Sequence, residues 1–309
     1  MSLHNRIDVA ILGAVLQEVV PFFSFIHEND RSFHFRGETL RIGTCNNLGL
    51  LIGTTGLGKV NAAITTAAIL ERFPVSQVWN VGCAGSYAGG PLRMGDVLIS
   101  QEALCGDEGI LTQNGPLSAE SIGIPIFIHA ERAVFDRIPL NQSPTVQRLH
   151  TLTPPGEYHL PPDGPPALSR RAGSSKPQEA QSTSEGQATP QTRCVNVGGV
   201  QVGKEAEHRR SFRVAYGPSL TVGMVSGDPA VADERFQKYG AFAENMEGSA
   251  VAQTCFRFDV PMTECRGISN IAGDRCKKNW RMETAMAHCQ GIVAIWLTAH
   301  MAWLAAGDS

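Results

Sequence analysis

The feature that most constrains the fold is a series of short apolar runs, each of which ends in glycine or polar residues. Four of them lie in the first third of the chain, at residues 7–15, 48–56, 77–85 and 96–103. Each run is typical of a buried strand. Residues 59–73 instead show the helical spacing of an amphipathic helix. Strands that alternate with helices predict an α/β fold with a sheet covered on both faces.

The second half of the chain continues this pattern after an unusual segment. Apolar runs at 219–227 and 262–270 predict two further strands, and a long helix is expected from residue 279 to residue 304. Residues 152–193, by contrast, are rich in proline, serine and glutamine. Such a composition cannot bury enough apolar surface to order a segment. We therefore expect a disordered insertion within one domain that comprises residues 1–309.

Composition limits the classes of function. The chain has 309 residues, a formal net charge of -3, and 42% hydrophobic against 18% charged residues. This balance indicates neither a nucleic-acid nor a membrane partner. The cysteines are scattered without a C-x-x-C pair, which is typical of reduced thiols rather than of a zinc site or disulfides. No signal peptide or transmembrane run is evident, so we expect a cytoplasmic protein without a metal or cofactor.

Two glycine-rich motifs are ambiguous when each is taken alone. GTTGLGKV, residues 53–60, resembles a phosphate-binding loop, but Val60 stands where that loop needs a hydroxyl for magnesium. NVGCAGSYAGG, residues 80–90, places glycines directly after a predicted strand. Backbone N–H groups there can meet a ligand at the carboxyl end of the sheet, and a simple tight turn explains the glycines equally well.

Three polar clusters at predicted strand ends are candidates for a site. Glu18 follows the first strand and is either a solvated helix-start carboxylate or a general base. Glu247, beside Met246, begins an apolar helix and either caps that helix or faces a ligand. The segment RGISN, residues 266–270, offers either ligand contacts or ordinary turn chemistry.

Taken together and in order, these motifs resemble the superfamily of purine nucleoside phosphorylases and methylthioadenosine nucleosidases. The resemblance covers nearly the whole chain apart from the insertion and rests on GAVLQEV, GLGKVNAA, NVGCAG, GDVLIS, ENMEGSA and RGISN. It implies a three-layer α/β fold with a central mixed sheet flanked by helices. It also implies a small-molecule nucleoside substrate, no cofactor, and a homo-oligomer of two or more chains.

Within that superfamily, NMEGSAVA and ECRGISNIAGDR are most similar to the futalosine hydrolases. These enzymes release hypoxanthine from futalosine in menaquinone biosynthesis. The resemblance places Glu18 where the nucleosidases hold the carboxylate that activates water, and it places Met246 and Glu247 on the ribose-binding pair. Asn270 is expected to be the second catalytic residue, which stabilises the departing base. The other residues expected to contact the substrate are Cys83, Ala84, Gly85, Ala230, Val231, Arg266 and Ser269.

Asn270 bears on the base, because the adenine-specific nucleosidases carry an aspartate at this position. An amide can donate to the oxygen at position 6 of hypoxanthine or guanine, which an ionised carboxylate would repel. An amide cannot act as a general acid, however, so the proton for N7 would come from bulk water or from Asp274. Arg275, Lys277 and Trp280 have the chemistry to bind the carboxyphenyl tail of futalosine, although an exposed helix start explains them more simply.

Two observations favour hydrolysis over phosphorolysis. The segment around Glu18 contains no arginine, and Cys83 stands where the superfamily often has a serine that faces phosphate or ligand. Three alternatives stay open: a purine nucleoside phosphorylase, a methylthioadenosine/adenosylhomocysteine nucleosidase, and a non-catalytic protein that binds nucleosides.

Overall fold

A mixed sheet of 12 strands forms the centre of the computed structural model. The structure describes residues 6–113, 115–140, 143–160, 193–194 and 211–306. Two small antiparallel hairpins, β7–β8 and β9–β10, lie outside the sheet. The described strands are β1 (Val9–Gly13), β2 (Glu28–Phe35), β3 (Glu38–Cys45), β4 (Leu48–Thr54), β5 (Val78–Ser86), β6 (Val97–Cys105), β7 (Gly109–Thr112), β8 (Gly115–Ser118), β9 (Phe127–His129), β10 (Arg132–Val134), β11 (Arg137–Pro139), β12 (Gly156–His159), β13 (Arg193–Cys194), β14 (Ser211–Thr221), β15 (Ala243–Asn245) and β16 (Met262–Ile271).

Helices cover the sheet. Those described are α1 (Leu16–Val19), α2 (Lys59–Arg72), α3 (Pro144–Leu152), α4 (Pro229–Tyr239), α5 (Gly248–Arg257) and α6 (Met282–Ala305), with 3₁₀ segments at Val20–Phe25 and Lys277–Asn279. No helix within the described part of the chain is long and apolar enough to cross a membrane.

The strand order brings the predicted motifs to one edge of the sheet. Its main path runs β13-β12-β14-β6-β16-β5-β1-β4-β3-β2. The neighbours β1, β4, β5 and β16 are parallel, whereas β6 runs antiparallel to β16 and parallel to β14. Because parallel strands end at the same edge of a sheet, the residues that follow β1, β5 and β16 converge there.

Strand β1 shows how the two faces of the sheet are covered. Val9 and Ile11 belong to a core that includes Trp296 of α6, whereas Ala10 and Leu12 belong to a second core with α2 and α5. Side chains alternate between the faces of a strand, so a continuous apolar run is what a sheet buried on both sides requires. The predicted three-layer α/β fold with a central mixed sheet is confirmed.

Two boundaries differ from the sequence prediction. The strand predicted at 219–227 is β14, which ends at Thr221; beyond it the N–H groups of Gly223 and Ser226 donate to the side chains of Asp107 and Glu244 rather than to a neighbouring strand. The predicted insertion begins too early, since residues 156–159 form β12 and pair with β14. Residues 161–192, which make up most of that segment, lie outside the described residues.

Candidate active site

Glu18 is held at the edge where β1 and β5 end. Its side chain is 7% exposed, so it is not the solvated helix-start carboxylate considered above. One carboxylate oxygen accepts from the N–H groups of Ala14 at 2.8 Å and Val15 at 3.3 Å, and the other accepts from Cys83 N–H at 2.8 Å. These backbone donors compensate the burial of the charge and fix its direction.

Glu247 does not cap the helix that it precedes. Asn245 performs that role, since its Oδ1 accepts from the N–H groups of Glu247 at 3.1 Å and Gly248 at 2.7 Å. The carboxylate of Glu247 instead accepts from Gly58 N–H at 2.9 Å and lies 3.9 Å from Nη1 of Arg266. The capping interpretation of Glu247 is therefore wrong, because the carboxylate is directed toward other elements.

The GTTGLGKV segment serves Glu247 rather than a phosphate. Gly58 has φ +88°, a left-handed conformation that favours glycine, and its N–H is the one that donates to Glu247. Lys59, which would reach phosphates in a nucleotide-binding loop, forms ion pairs with Asp107 and Glu108. The segment therefore positions a carboxylate, and its lysine is already neutralised.

Arg266 connects the two carboxylates at the centre of the site. Its side chain is 1% exposed, and Nη2 donates to Glu264 at 3.0 Å. A Cβ on Gly82 would lie 2.5 Å from Oε1 of Glu18 and 2.6 Å from Nη1 of Arg266. Only glycine at this position lets the carboxylate of Glu18 and the guanidinium of Arg266 lie so close to the strand.

Glu264 holds the guanidinium of Arg266 in place. It is fully buried in β16 and accepts hydrogen bonds from four side chains: Asn80, Ser100, Ser219 and Arg266. We did not single out any of the first three donors, or Glu264 itself, from the sequence. The one available signal was a charged residue inside the otherwise apolar run of β16, since a buried charge needs partners.

Charge and burial perturb three groups of the site. Burial raises the pKa of Glu247, and the nearby charge of Arg266 only partly opposes this shift. Burial alone would lower the pKa of Arg266, but the charges of Glu264, Glu247 and Glu18 outweigh burial and raise it. Burial, reinforced by Glu18, raises the pKa of the Cys83 thiol, which therefore stays neutral.

Asn270 lies opposite Gly85 in the register of β5 and β16. Its Nδ2 donates to the carbonyl of Ile271 at 3.0 Å, and its Oδ1 accepts from the hydroxyl of Ser269 at 2.8 Å. A carbonyl can only accept, so this pairing fixes which end of the amide is NH₂. One N–H and one oxygen lone pair of Asn270 remain for a ligand.

The end of β5 contacts both Glu18 and the pair formed by Ser269 and Asn270. Cys83 N–H holds Glu18, the carbonyl of Ala84 accepts from the hydroxyl of Ser269 at 3.3 Å, and Gly85 faces Asn270. The structure therefore brings together eight of the predicted site residues: Glu18, Cys83, Ala84, Gly85, Glu247, Arg266, Ser269 and Asn270. Met246, half-buried, directly precedes Glu247.

Ala230 and Val231 lie in the first turn of α4, at the side of the site where Asn270 stands. Their N–H groups already donate to Oδ1 of Asp228, at 3.0 and 3.1 Å. The segment packs against the loop after β16 so closely that a Cβ on Gly273 would lie 2.7 Å from the backbone of Asp228 and Pro229. These two residues thus border the site through the loop that follows Asn270.

The loop after β16 also contains Asp274, which the sequence offered as a proton donor. Asp274 accepts from Asn279 at 2.7 Å and from the N–H of Cys276 at 2.8 Å, and these hydrogen bonds lower its pKa. An aspartate held ionised is a poor proton donor, so the structure does not favour Asp274 as the proton donor considered above.

The same loop carries the other residues considered for the substrate tail. Arg275 lies over the ring of Trp280 at 5.0 Å, and Lys277 is exposed. Among the described residues no group of three or more His, Cys, Asp or Glu could hold a metal ion.

Comparison with known proteins supports the fold described above. A sequence model described as the phosphorylase superfamily matches residues 8–294. A futalosine hydrolase of Thermus thermophilus is 30% identical over 239 residues, which is 77% of each chain. A 5'-methylthioadenosine/S-adenosylhomocysteine nucleosidase of Anoxybacillus flavithermus is 26% identical over 291 residues, 93% of this chain and 97% of that protein.

Solved structures share the fold over nearly the whole chain. A methylthioadenosine/S-adenosylhomocysteine nucleosidase of Colwellia psychrerythraea, crystallised with adenine, superposes with a TM-score of 0.65 at 19% identity and 96% coverage of both chains. The corresponding enzyme of Neisseria meningitidis, in complex with methylthio-immucillin-A, also gives a TM-score of 0.65 at 19% identity, with 94% and 99% coverage.

The raised pKa of Glu247 predicts how stability depends on pH. The folded state favours the protonated carboxyl, so this contribution is present at low pH and is lost as pH rises through the folded pKa. A Glu247→Gln variant lacks this titration. Its unfolding free energy, measured by urea denaturation between about pH 4 and about pH 8, should therefore increase relative to wild type as pH rises above 4.5.

The matched control is Glu283→Gln, which alters an exposed glutamate in the first turn of α6. Its difference from wild type should not show this rise. A Glu247→Gln difference that stays constant with pH would contradict the assigned perturbation.

Proposed function

The chain belongs to the phosphorylase superfamily, and we propose that it hydrolyses the N-glycosidic bond of a purine nucleoside, with futalosine as its substrate. The observation that carries this proposal is the position of Glu18. Its buried carboxylate is held by three backbone N–H groups beside Arg266, at the sheet edge that also carries Glu247 and Asn270.

The proposed mechanism divides the work between the two ends of the site. Cleavage passes through an oxocarbenium-like sugar, so the base must be stabilised as it leaves and a nucleophile must reach C1′. Glu18 accepts a proton from a water molecule that attacks C1′. Glu247, in its ionised form, accepts hydrogen bonds from ribose hydroxyls and so positions the sugar. The N–H of Asn270 that has no partner within the protein donates to the departing base. The proton that N7 of the base takes up comes from water.

The charge around Arg266 supports hydrolysis rather than phosphorolysis. A phosphorylase must bind a phosphate anion where the water would otherwise stand. Here the guanidinium of Arg266 is already shared by Glu264, Glu247 and Glu18. A further anion would approach a cluster with more negative than positive charges, which is electrostatically unfavourable in a buried site.

The second candidate is a methylthioadenosine/adenosylhomocysteine nucleosidase. The relatives named above include both activities, so the comparisons support a purine nucleosidase of either kind. Asn270 favours futalosine, because its amide can donate to a 6-oxo group. Arg275 and Trp280, stacked in the loop after Asn270, offer a cation and a ring for a carboxyphenyl group. This substrate would place the enzyme in menaquinone biosynthesis, and we propose a cytoplasmic location for it.

Substrate choice provides the direct test. The protein is incubated with futalosine, aminofutalosine, methylthioadenosine and inosine, with and without phosphate, and the released base is identified. We expect hypoxanthine from futalosine, independent of phosphate. Preference for the oxo base should be roughly 10- to 100-fold, the effect of one unpaired buried polar group.

Asn270→Asp should lower kcat/KM for futalosine and raise the relative rate for aminofutalosine. The matched control is Asn279→Asp, an amide in the same loop that bonds Asp274 on its exposed side. If wild type prefers aminofutalosine or methylthioadenosine, the futalosine proposal is wrong, whereas the hydrolase proposal stands as long as turnover needs no phosphate.

Glu18→Gln should reduce kcat by about 10²–10⁴, the usual range for loss of a general base. Binding of adenine or hypoxanthine should persist, because the base lies at the Asn270 end of the site. Isothermal calorimetry with the free bases separates the two effects. Turnover near that of wild type would remove Glu18 from the mechanism.

We further propose that the protein acts as a homo-oligomer through the outer face of α2. Val60 and Ile64, 71% and 55% exposed, lie one turn apart on an apolar stripe of this face, and Leu57, 59% exposed, lies just before the helix begins. A second copy of the chain presents the same apolar stripe and can cover this one. Val60→Glu should then shift the mass measured by light scattering toward the monomer, whereas Ile128→Glu, at an exposed position in β9, should not. A monomeric wild type would contradict the proposal.

A further inference from the structure

A second buried ion pair lies next to the site and has no role in the mechanism above. Glu244, in β15, is 4% exposed, and its Oε2 lies 3.2 Å from Nη1 of Arg235 in α4. Oε2 also accepts from the hydroxyl of Tyr87 at 3.2 Å. Tyr87 itself follows directly after β5, the strand that carries Gly85. Two strands and one helix therefore meet at a single carboxylate.

This pair holds the segment between β14 and α4. Glu244 accepts from both the N–H and the hydroxyl of Ser226, at 2.8 and 2.7 Å. Arg235 donates to the same hydroxyl at 3.0 Å and to the carbonyl of Met224 at 2.8 Å. The planar guanidinium thus binds three acceptors at once, which requires its fork of donors and not only its charge.

The segment leads directly to the base end of the site. Ser226 is followed by Gly227 and by Asp228, which caps α4. Asp228 and Pro229 press against Gly273 in the loop that follows Asn270. Glu244 is also paired with Gly85, the residue that faces Asn270 across the strands. A shift of residues 224–231 would therefore change the space beside the amide of Asn270.

Stability alone does not explain the arrangement. A buried ion pair usually contributes no more than well-packed apolar side chains of similar volume would, whereas its geometry is far more restrictive. Here the geometry of the ion pair constrains one irregular segment, residues 224–231. The ion pair is not needed for apolar packing, which the neighbouring cluster of Tyr87, Leu104, Leu220 and Val222 supplies.

We propose that Arg235 and Glu244 are positioning residues for the purine base. They fix residues 224–231 so that this segment forms one side of the base pocket, opposite Asn270. The inference rests on the proposed function only in that a purine base occupies this end of the site.

The test separates the charge of Arg235 from its geometry. Arg235→Lys keeps a cation beside Glu244 but lacks the planar fork in which Nη1 bonds Ser226 and Glu244 while Nη2 bonds Met224. Arg235→Ala removes both. The matched control is Arg137→Ala, because Arg137 also pairs with a glutamate, Glu102, and donates to Tyr239 at the other end of α4. Thermal unfolding, calorimetric binding of adenine and hypoxanthine, and amide hydrogen exchange are measured on the full chain.

We expect Arg235→Lys to unfold at nearly the temperature of wild type and yet to bind its base roughly 3- to 30-fold more weakly, the scale of one lost hydrogen bond. Amides of residues 224–231 should exchange faster in Arg235→Lys and Arg235→Ala, but not in Arg137→Ala. Base affinity in Arg235→Lys within about twofold of wild type would overturn the positioning role. A wild type that binds neither base would overturn the base pocket itself, which is a failure of the proposed function rather than of the pair alone.

Discussion

The buried guanidinium of Arg266 is the interaction on which the site depends. Three carboxylates, those of Glu264, Glu247 and Glu18, raise its pKa despite its complete burial. Uncompensated buried charges are among the costliest features that a protein interior can contain. Because Glu264 accepts from four side chains, the guanidinium has a rigid support on one side and leaves its other side to Glu247 and Glu18.

Backbone N–H groups also bind the carboxylates of Glu18 and Glu247 that lie near Arg266. Three N–H groups hold Glu18, and the N–H of Gly58 donates to Glu247, so the orientation of both carboxylates follows from where loops leave the sheet. This arrangement explains two glycines that are otherwise unremarkable in the sequence. Gly58 adopts the backbone conformation that directs its N–H at Glu247, and Gly82 leaves the space in which Glu18 and Arg266 approach each other. Donors fixed by the backbone need no reorganisation when charge develops during a reaction.

The base end of the site is built differently. Asn270 is oriented by short-range bonds to Ser269 and Ile271, so its hydrogen-bonding pattern is set within β16 itself. The opposite side is the irregular segment after β14, which Glu244 and Arg235 hold. One side of the proposed base pocket therefore depends on strand register and the other on a polar cluster.

The sequence by itself determined the fold class and marked most residues of the candidate site. Apolar runs buried on both faces predicted β1, β4, β5, β6 and β16. Glycines and polar residues near the ends of β1, β5 and β16 marked Glu18 and the segments 80–90 and 266–270 as candidates, because parallel strands end at one edge, and the family resemblance then selected Cys83 and Asn270 within them. Only the tertiary structure decided what each charge contacts. Whether Glu247 capped its own helix depended on Asn245 and on the distant Gly58, 189 residues away along the chain. Likewise, the partners of Glu264 and Glu244 come from separate strands, a helix and a loop. Sequence periodicity records which side of an element is buried, whereas the pairing of buried charges is a property of segments that meet only in the folded chain.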